Sequence, residues 1–170
     1  MVLQDELSER DLPNFLKRDQ SILAPVISRC CEIKAEVVGQ DETESGLRAI
    51  LNFGQTVGHA IENISGYGKF LHGEAISMGQ IAAAKLSHKV LGLPERDVER
   101  IGNLFQRAGL PVQIQLNSLK RQKLLNAMRL DKKVSDGEIK FVLAERIGKV
   151  AWNQRVPANV IHGALDEIAS

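Results

Sequence analysis

The sequence has few cysteines and little excess charge of either sign. Its two cysteines, Cys30 and Cys31, are adjacent, which excludes a CxxC pair for zinc or redox chemistry and is unfavourable for a bond between them. We interpret both as reduced core residues. Lys and Arg total 22 against 21 Asp and Glu, so the net charge of +1 creates no global field that would attract nucleic acid or an acidic membrane. Any anion site must be local.

Long apolar runs are also missing. No uninterrupted stretch approaches the roughly 20 residues that span a bilayer, and the acidic segment 1–11 is unlike a signal peptide. These two absences predict a cytoplasmic protein without a membrane partner. The 170 residues, 44% hydrophobic and 25% charged, have the composition of an ordinary folded protein, which excludes intrinsic disorder and collagen-like classes.

Apolar residues recur at three- and four-residue spacing along most of the chain, which predicts a mainly α fold. We expect two helices between residues 8 and 38, with Pro25 in the first turn of the second, and one helix over residues 47–64. Further helices are predicted over residues 72–91, 94–108 and 118–130, and over 160–168 after Pro157. The predicted organisation is a single helical domain over residues 1–170.

Alternation with a period of two residues appears near the carboxyl terminus. Phe141 and Leu143 alternate with their neighbours as in a strand, Gly148 would lie near a turn, and Val150 and Trp152 would lie on the returning strand. Since strands and helices do not alternate elsewhere, the fold class predicted is a multi-helix domain with a small β-hairpin.

A row of polar residues stands out on the helix predicted over residues 47–64. Arg48, Asn52, Gln55 and His59 lie at offsets 0, 4, 7 and 11, within roughly 60° of one another on an ideal helix. A solvated helix face is the simpler interpretation, but such faces usually carry Lys and Glu. A guanidinium, two amides and an imidazole are better suited to directed hydrogen bonds. The row is therefore a candidate site.

Glycines give two further signals. Gly54 and Gly58 each cost about 1 kcal/mol relative to Ala inside a helix, which predicts that another segment packs closely against them. The GYG sequence at residues 66–68 lacks the GK[ST] ending and the preceding strand of a phosphate loop, so it is not taken as one.

Other basic residues could add to the same site. His72 follows the glycine-rich loop and opens a predicted helix, at the end where unpaired amides favour an anion. Lys34, Lys132 and Lys133 could converge on it, although each alone is typical of a surface charge.

These residues lie in segments that resemble the 3-dehydroquinate synthases. The resemblance is carried, in the family's order, by CCEIKAEVV (30–38), DETESGLRAILNFGQTVGHAIE (41–62), GYGKFLHGEA (66–75) and LDKKVSDGEIKFVL (130–143). It implies the dehydroquinate synthase-like fold and the C-terminal, metal- and substrate-binding half of a two-domain enzyme. The implied partners are its own N-terminal NAD-binding domain and a second copy in a homodimer. This half is expected to be inactive alone.

The resemblance also implies a reaction. The family's lyase activity converts the sugar phosphate 3-deoxy-D-arabino-heptulosonate 7-phosphate to 3-dehydroquinate and phosphate, in the shikimate pathway of chorismate and aromatic amino acid biosynthesis. Its cofactors are NAD and a divalent metal, zinc or cobalt. By position, the substrate-binding residues would be Lys34, Arg48, Asn52 and one of Lys132 and Lys133.

Three further positions carry over from the family's motif. His59 would be the catalytic histidine, useful for proton transfer or for phosphate binding, and His72 would be a metal ligand. At Gln55 the family usually has a metal-binding histidine. An amide oxygen is a weaker zinc ligand than an imidazole, so the resemblance predicts weakened or altered metal binding through Gln55 and His72.

Two alternatives remain open. One is another sugar phosphate cyclase, such as a 2-deoxy-scyllo-inosose synthase, which shares the scaffold. The other is a non-catalytic helical domain derived from the family, for which Gln55 is the best argument. Retention of Arg48, Asn52, His59 and His72 at the motif positions argues against that second alternative.

Overall fold

The computed structural model describes residues 11–43, 46–66, 68–130 and 139–170. Contacts between Cα atoms divide the chain into two compact units, with the boundary between Leu51 and Asn52. Each unit is described by itself, and the single domain expected from the sequence stays a prediction.

The first unit contains two helices in its described part, α1 (Leu12–Leu16) and α2 (Gln20–Gln40). The carboxylate of Asp19 accepts hydrogen bonds from the backbone N–H of Ser21 at 2.9 Å and from its hydroxyl at 2.7 Å, and these bonds lower the pKa of Asp19. The cap starts α2 before Pro25, which lies inside the helix. The predicted start at Pro25 is wrong because proline removes only one N–H bond, which the long capped helix tolerates here.

The predicted burial of the two cysteines is also wrong. Cys30 and Cys31 are both exposed free thiols on α2. Among the described residues of this helix, Val26 and Val37 are the buried ones. Apolar character alone therefore did not decide burial, because α2 has little to pack against within the described part of its unit.

The single helix predicted over residues 47–64 is wrong as well. The chain forms a 3₁₀ helix, Leu47–Asn52, and then α3, Gln55–Ser65. Gly54 separates them with a φ of +83°, a left-handed conformation that a right-handed α-helix cannot include. Apolar spacing continues across the break, so periodicity alone does not detect it.

The second unit carries the remaining elements. They are α4 (His72–Leu91), α5 (Glu95–Arg107), α6 (Ser118–Leu130), β1 (Lys140–Arg146), β2 (Lys149–Arg155) and α7 (Ala158–Glu167). The strands form an antiparallel hairpin in which Arg146 pairs with Lys149 beside the turn at Gly148. The mainly α fold with a small hairpin is confirmed, and the bounds predicted for α4 and α6 match the structure.

Helix α4 is the centre of the second unit. It packs against α3, α5, α7 and β1, and its Met78 and Leu86 are fully enclosed together with Leu143 of β1 and Leu165 of α7. A helix buried on most of its circumference needs small or apolar residues on every side, which its alanines, glycine and serines supply. No helix within the described ranges combines the length and apolarity needed to cross a membrane.

A buried hydroxyl ties α4 to the hairpin. Ser87 is inaccessible to solvent; its Oγ donates to the Ala83 carbonyl oxygen at 2.6 Å and accepts from the Ala144 backbone N–H at 2.8 Å. The bond from Ala144 gives a buried strand N–H its hydrogen-bond acceptor. It also fixes the hairpin against the helix.

Candidate functional site

Helices α3 and α4 approach each other backbone to backbone where glycines leave room. A Cβ on Gly58 would lie 2.7 Å from Cδ1 of Ile76, and one on Gly79 would lie 2.6 Å from the backbone nitrogen of Gly58. A Cβ on Gly54 would lie 2.6 Å from the backbone nitrogen of Gln80. The close packing predicted for Gly54 and Gly58 is therefore confirmed, and the packing segment is α4.

Along this interface, the residues that face the other helix are spaced four positions apart in the sequence. The helices are antiparallel, so the position on α4 falls by four as the position on α3 rises by four. The successive facing pairs are Gly54 and Gln80, Gly58 and Ile76, and Glu62 and His72.

Three side chains meet at the last of these steps. Nδ1 of His72 lies 3.1 Å from Oε1 and 3.2 Å from Oε2 of Glu62. The rings of His59 and His72 have centroids 5.8 Å apart, with planes inclined by 34°. One potential ligand atom from each of the three residues lies within 4.8 Å of the others. We call His59, Glu62 and His72 the triad.

Local structure explains how the triad forms. His59 and Glu62 are three residues apart on α3, so they lie on one face. His72 is the first residue of α4, where the Glu74 carboxylate accepts a hydrogen bond from the Leu71 N–H at 2.8 Å and fixes the first turn. The triad is open to solvent: the side chain of His72 is 64% exposed and that of Glu62 is 32% exposed.

Glu62 is the residue that the sequence interpretation missed. The polar row was followed from position 48 to position 59, and one further step of three residues reaches Glu62. On an α-helix, positions 55, 59 and 62 share a face, so the signal was present in the sequence. Its partner His72 is ten residues away across a loop, and helical periodicity cannot predict that contact.

The predicted row of four residues does not lie on one helical face. Asn52 ends the 3₁₀ helix, and the left-handed Gly54 separates it from Gln55, the first residue of α3. Gln55 and His59, four residues apart, do share a face of α3. The proposed metal contact of Gln55 stays a prediction, as does the substrate contact of Asn52.

Arg48 is positioned by a loop. Oδ2 of the buried Asp41 accepts hydrogen bonds from the backbone N–H groups of Gly46 at 2.8 Å and of Arg48 at 2.9 Å. The Arg48 guanidinium donates from Nη1 to the carbonyl oxygen of Glu42 at 3.1 Å. Asp41 therefore fixes the backbone position of Arg48, and the Glu42 carbonyl oxygen holds its guanidinium. Both partners precede the arginine in the loop.

The lysines named from the sequence are placed differently. Lys34 is an exposed residue of α2. Lys132 and Lys133 lie outside the described residues. The substrate contacts predicted for these three lysines stay predictions.

The fold is that of the helical domain of sugar phosphate cyclases. The structure of a 2-deoxy-scyllo-inosose synthase complexed with carbaglucose-6-phosphate, NAD+ and Co2+ matches with a TM-score of 0.70 at 27% identity, over 89% of this chain and 42% of that chain. A 2-epi-5-epi-valiolone synthase from Streptomyces hygroscopicus, with NAD+ and Zn2+ bound, has the same fold at 22% identity and a TM-score of 0.66, over 88% of this chain and 39% of that chain.

The chain belongs to the 3-dehydroquinate synthase C-terminal family, whose sequence model matches residues 3–134. A 3-dehydroquinate synthase of Nitrosospira multiformis is 48% identical over 159 residues, 94% of this chain and 43% of the relative. One from Bordetella pertussis is 49% identical over 144 residues, 85% of this chain and 39% of the relative. The resemblance found in the sequence is confirmed, and the chain spans less than half the length of these relatives.

Proposed function

We propose that this chain is the C-terminal, metal- and substrate-binding part of a 3-dehydroquinate synthase. The proposed reaction converts 3-deoxy-D-arabino-heptulosonate 7-phosphate to 3-dehydroquinate and phosphate, as a step of the shikimate pathway. The observation that carries the proposal is the family match over residues 3–134. Since the chain corresponds to 43% of the Nitrosospira relative, we propose that an N-terminal NAD-binding domain belongs to the active form. From the family resemblance we also propose a homodimer and a cytoplasmic location.

The basic residues suit a substrate with two anionic groups. A guanidinium offers two parallel donors to a carboxylate or phosphate, and the Asp41 carboxylate holds the backbone from which the Arg48 side chain extends. Lys34 offers a compact charge and Asn52 an amide for substrate hydroxyl or carboxylate oxygens. One of Lys132 and Lys133 completes the set at the phosphate end.

His59 is proposed as the group that handles protons beside the substrate. A neutral ring nitrogen accepts a proton from a substrate carbon or hydroxyl, and a protonated one donates a hydrogen bond to the leaving phosphate. When bound, NAD supplies hydride acceptance and return, and the metal supplies Lewis acidity at substrate oxygens. The imidazole of His72 fits a zinc or cobalt ion as a donor, and the amide oxygen of Gln55 is a weaker donor for either ion.

The test is turnover by the chain joined to an NAD-binding half. We would fuse it to the N-terminal part of the Nitrosospira relative, add the heptulosonate phosphate, NAD and zinc, cobalt or manganese, and measure release of phosphate and formation of 3-dehydroquinate. The same turnover assay applies to a longer natural protein that contains this chain. Turnover with any of the metals supports the proposal.

Two variants sharpen this test. Arg48→Ala should lower kcat/KM by about a hundredfold, because a charged, two-pronged contact is lost, whereas Arg96→Ala on the exposed face of α5 should leave it unchanged. Gln55→His tests the departure from the family pattern. Inactivity rescued by Gln55→His would mean a synthase scaffold with a lapsed metal site. Inactivity of both forms would contradict the proposal and favour a non-catalytic domain.

A 2-deoxy-scyllo-inosose synthase type of cyclase is the second candidate. It is favoured by the structural match with a TM-score of 0.70 to such an enzyme bound to carbaglucose-6-phosphate. The higher identity to enzymes named 3-dehydroquinate synthase, 48% for the Nitrosospira relative, favours the first proposal. Turnover of glucose 6-phosphate but not of the heptulosonate phosphate would reverse that order.

A further inference from the structure

We propose that the second unit carries a separate pocket for a small carboxylate with an apolar ring. The pocket lies between α6, α7 and the end of the hairpin opposite its turn, and its volume is about 600 Å³. Its lining contains none of the described residues to which the proposed synthase reaction assigns a role. Binding there needs only residues of this chain, so the inference does not rest on the proposed function.

The floor of the pocket is apolar and belongs to the core that surrounds α4. Leu125 of α6 and Ile161 of α7 are buried in that core, and Ile139 and Val156, at the two strand ends, pack against it and are partly buried. Close packing holds the buried side chains in place, so the floor keeps its shape without a ligand. The partly buried side chains leave apolar surface that a hydrocarbon ring can remove from water.

The rim of the pocket is basic. Arg129 lies near the end of α6, Arg155 ends β2, and His162 follows on α7. No carboxylate is found among the described residues that line the pocket. One turn along α7 from His162, Asp166 pairs with Arg121 of α6. A concave surface with two guanidinium groups and no acidic lining residue attracts an anion, and a guanidinium suits the planar carboxylate group.

The same lining favours an acid without an amino group. An α-amino acid would bring an ammonium group into a pocket whose charged lining residues are cationic, so its positive charge would face like charges. A neutral aromatic compound would leave the guanidinium groups without an anion, and inorganic phosphate would leave the apolar floor unused. The chemical class that satisfies both the floor and the rim is an aryl-substituted alkanoate or 2-oxo acid.

The simpler interpretation is that Arg129 and Arg155 are solvated surface charges. Both are exposed, and exposed arginines are common on protein surfaces. Here, however, a helix and a strand bring the two arginines to one concave surface, above side chains of the core. Ligand sites combine a mostly apolar cavity with a few polar groups in this way, whereas solvated charges need no cavity.

The first measurement is titration of the full 170-residue chain with 3-phenylpropanoate, followed by amide chemical shifts in NMR spectra of the labelled protein. No substrate, NAD or added domain is present, so the result does not depend on turnover. We expect saturable binding with a Kd below about 1 mM, as for an efficient ligand of this size. The largest shift changes should fall on Ile139, Ala158 and His162, which line the pocket.

Four comparison ligands test the chemistry of the site. The amide 3-phenylpropanamide removes the charge, propanoate removes the ring, phenylalanine adds an ammonium group, and inorganic phosphate keeps only the charge. Each should bind at least about tenfold more weakly than 3-phenylpropanoate. Equal affinity for phenylalanine or the amide would overturn the proposed ligand class, and equal affinity for propanoate or phosphate would show a simple anion site instead.

Substitutions then locate the site. Arg129→Gln and Arg155→Gln should each weaken binding of 3-phenylpropanoate by about tenfold, whereas Arg96→Gln on the exposed face of α5 should leave the Kd within about twofold. Ala158→Leu adds bulk inside the pocket and should also weaken binding by at least tenfold. Its control, Asn159→Leu, changes the next residue, which is exposed and does not line the pocket.

Circular dichroism checks that each variant is folded. Ala158→Leu keeps both arginines, so it tests the location of the site even if an arginine variant loses its fold. Failure of the wild-type chain to bind 3-phenylpropanoate would overturn the proposal. Binding that is unchanged in both Arg129→Gln and Ala158→Leu would also overturn it, because the ligand would then occupy another part of the molecule.

Discussion

Helices α3 and α4 meet in two different ways along one interface. At Gly58 the two backbones are in contact, and an added Cβ would collide with Ile76. One step further, at Glu62 and His72, long polar side chains bridge the helices and face solvent. The first kind of contact sets the distance between the helices, and the second spans that distance with a hydrogen bond between side chains. A rigid backbone contact and a solvent-accessible polar contact thus occupy neighbouring steps of the same series.

The largest effect is expected where the backbones touch. Gly79→Ala places a Cβ against the backbone of Gly58 and against the carbonyl oxygen of Gly54, so α3 and α4 must separate. We expect the free energy of unfolding to fall by about 3 kcal/mol, as in overpacked cores, when measured by urea denaturation. The matched control is Gly102→Ala in α5, which has no atom within 4 Å among the described residues and should gain up to about 1 kcal/mol. Equal effects of the two variants would contradict the close contact.

A buried polar bond on the same helix gives the next largest effect. Ser87→Ala leaves the Ala144 backbone N–H without its acceptor in the core, since the Oγ of Ser87 lies 2.8 Å away. The free energy of unfolding should fall by about 2 kcal/mol. Ser28→Ala, at an exposed position of α2, should change it by less than about 0.5 kcal/mol. A loss below 0.5 kcal/mol for Ser87→Ala would show that the strand N–H finds another partner.

Glu167 is a carboxylate held by two lysines, whereas the partner of Glu62 is an imidazole. Its oxygens lie 2.8 Å from Nζ of Lys85 and 2.7 Å from Nζ of Lys89. Partial burial alone would raise the pKa of Glu167, but hydrogen bonds and charge attraction from the two lysines outweigh it and the pKa is lowered. The stabilisation is therefore present above the ordinary pKa of a glutamate and is lost as the pH falls through the lowered value.

The corresponding measurement is the free energy of unfolding as a function of pH. Because the Glu167 side chain is 39% exposed, solvent screening limits its contribution to about 1 kcal/mol at neutral pH. Glu167→Gln should lose that amount near neutral pH and converge with the wild type in acid. A difference that grows as the pH falls would contradict a lowered pKa of Glu167.

The smallest effect is expected at the open step of the interface. Without metal, Glu62→Gln should change the free energy of unfolding by less than about 0.5 kcal/mol, since it removes one exposed ion pair. A large loss of stability without metal would show that Glu62 has a structural role.

Most of the second unit could be predicted from the sequence. The bounds of α4 follow from its apolar spacing and from Gly92, whose left-handed conformation ends the helix. The hairpin follows from alternation around Gly148. In these segments the local preference of the chain and its tertiary environment agree, so short-range patterns were enough.

The errors come from features that apolar spacing does not encode. The break at Gly54 depends on a single positive φ, and the spacing of neighbouring apolar residues is unchanged across it. The exposure of Cys30 depends on what packs against α2, which is not a local property of that helix. Likewise, Glu62 meets His72 only because antiparallel helices bring distant positions to one level.

The contacts of Asp41 define the smallest segment that could be moved between related domains with its arginine in place. Arg48 takes its backbone position from a carboxylate seven residues earlier, which also holds Gly46. A graft of the 3₁₀ helix alone, residues 47–52, would carry the guanidinium without the acceptor that orients its backbone. The transferable unit therefore begins at residue 41, and exchange experiments among related enzymes should place their junctions before it.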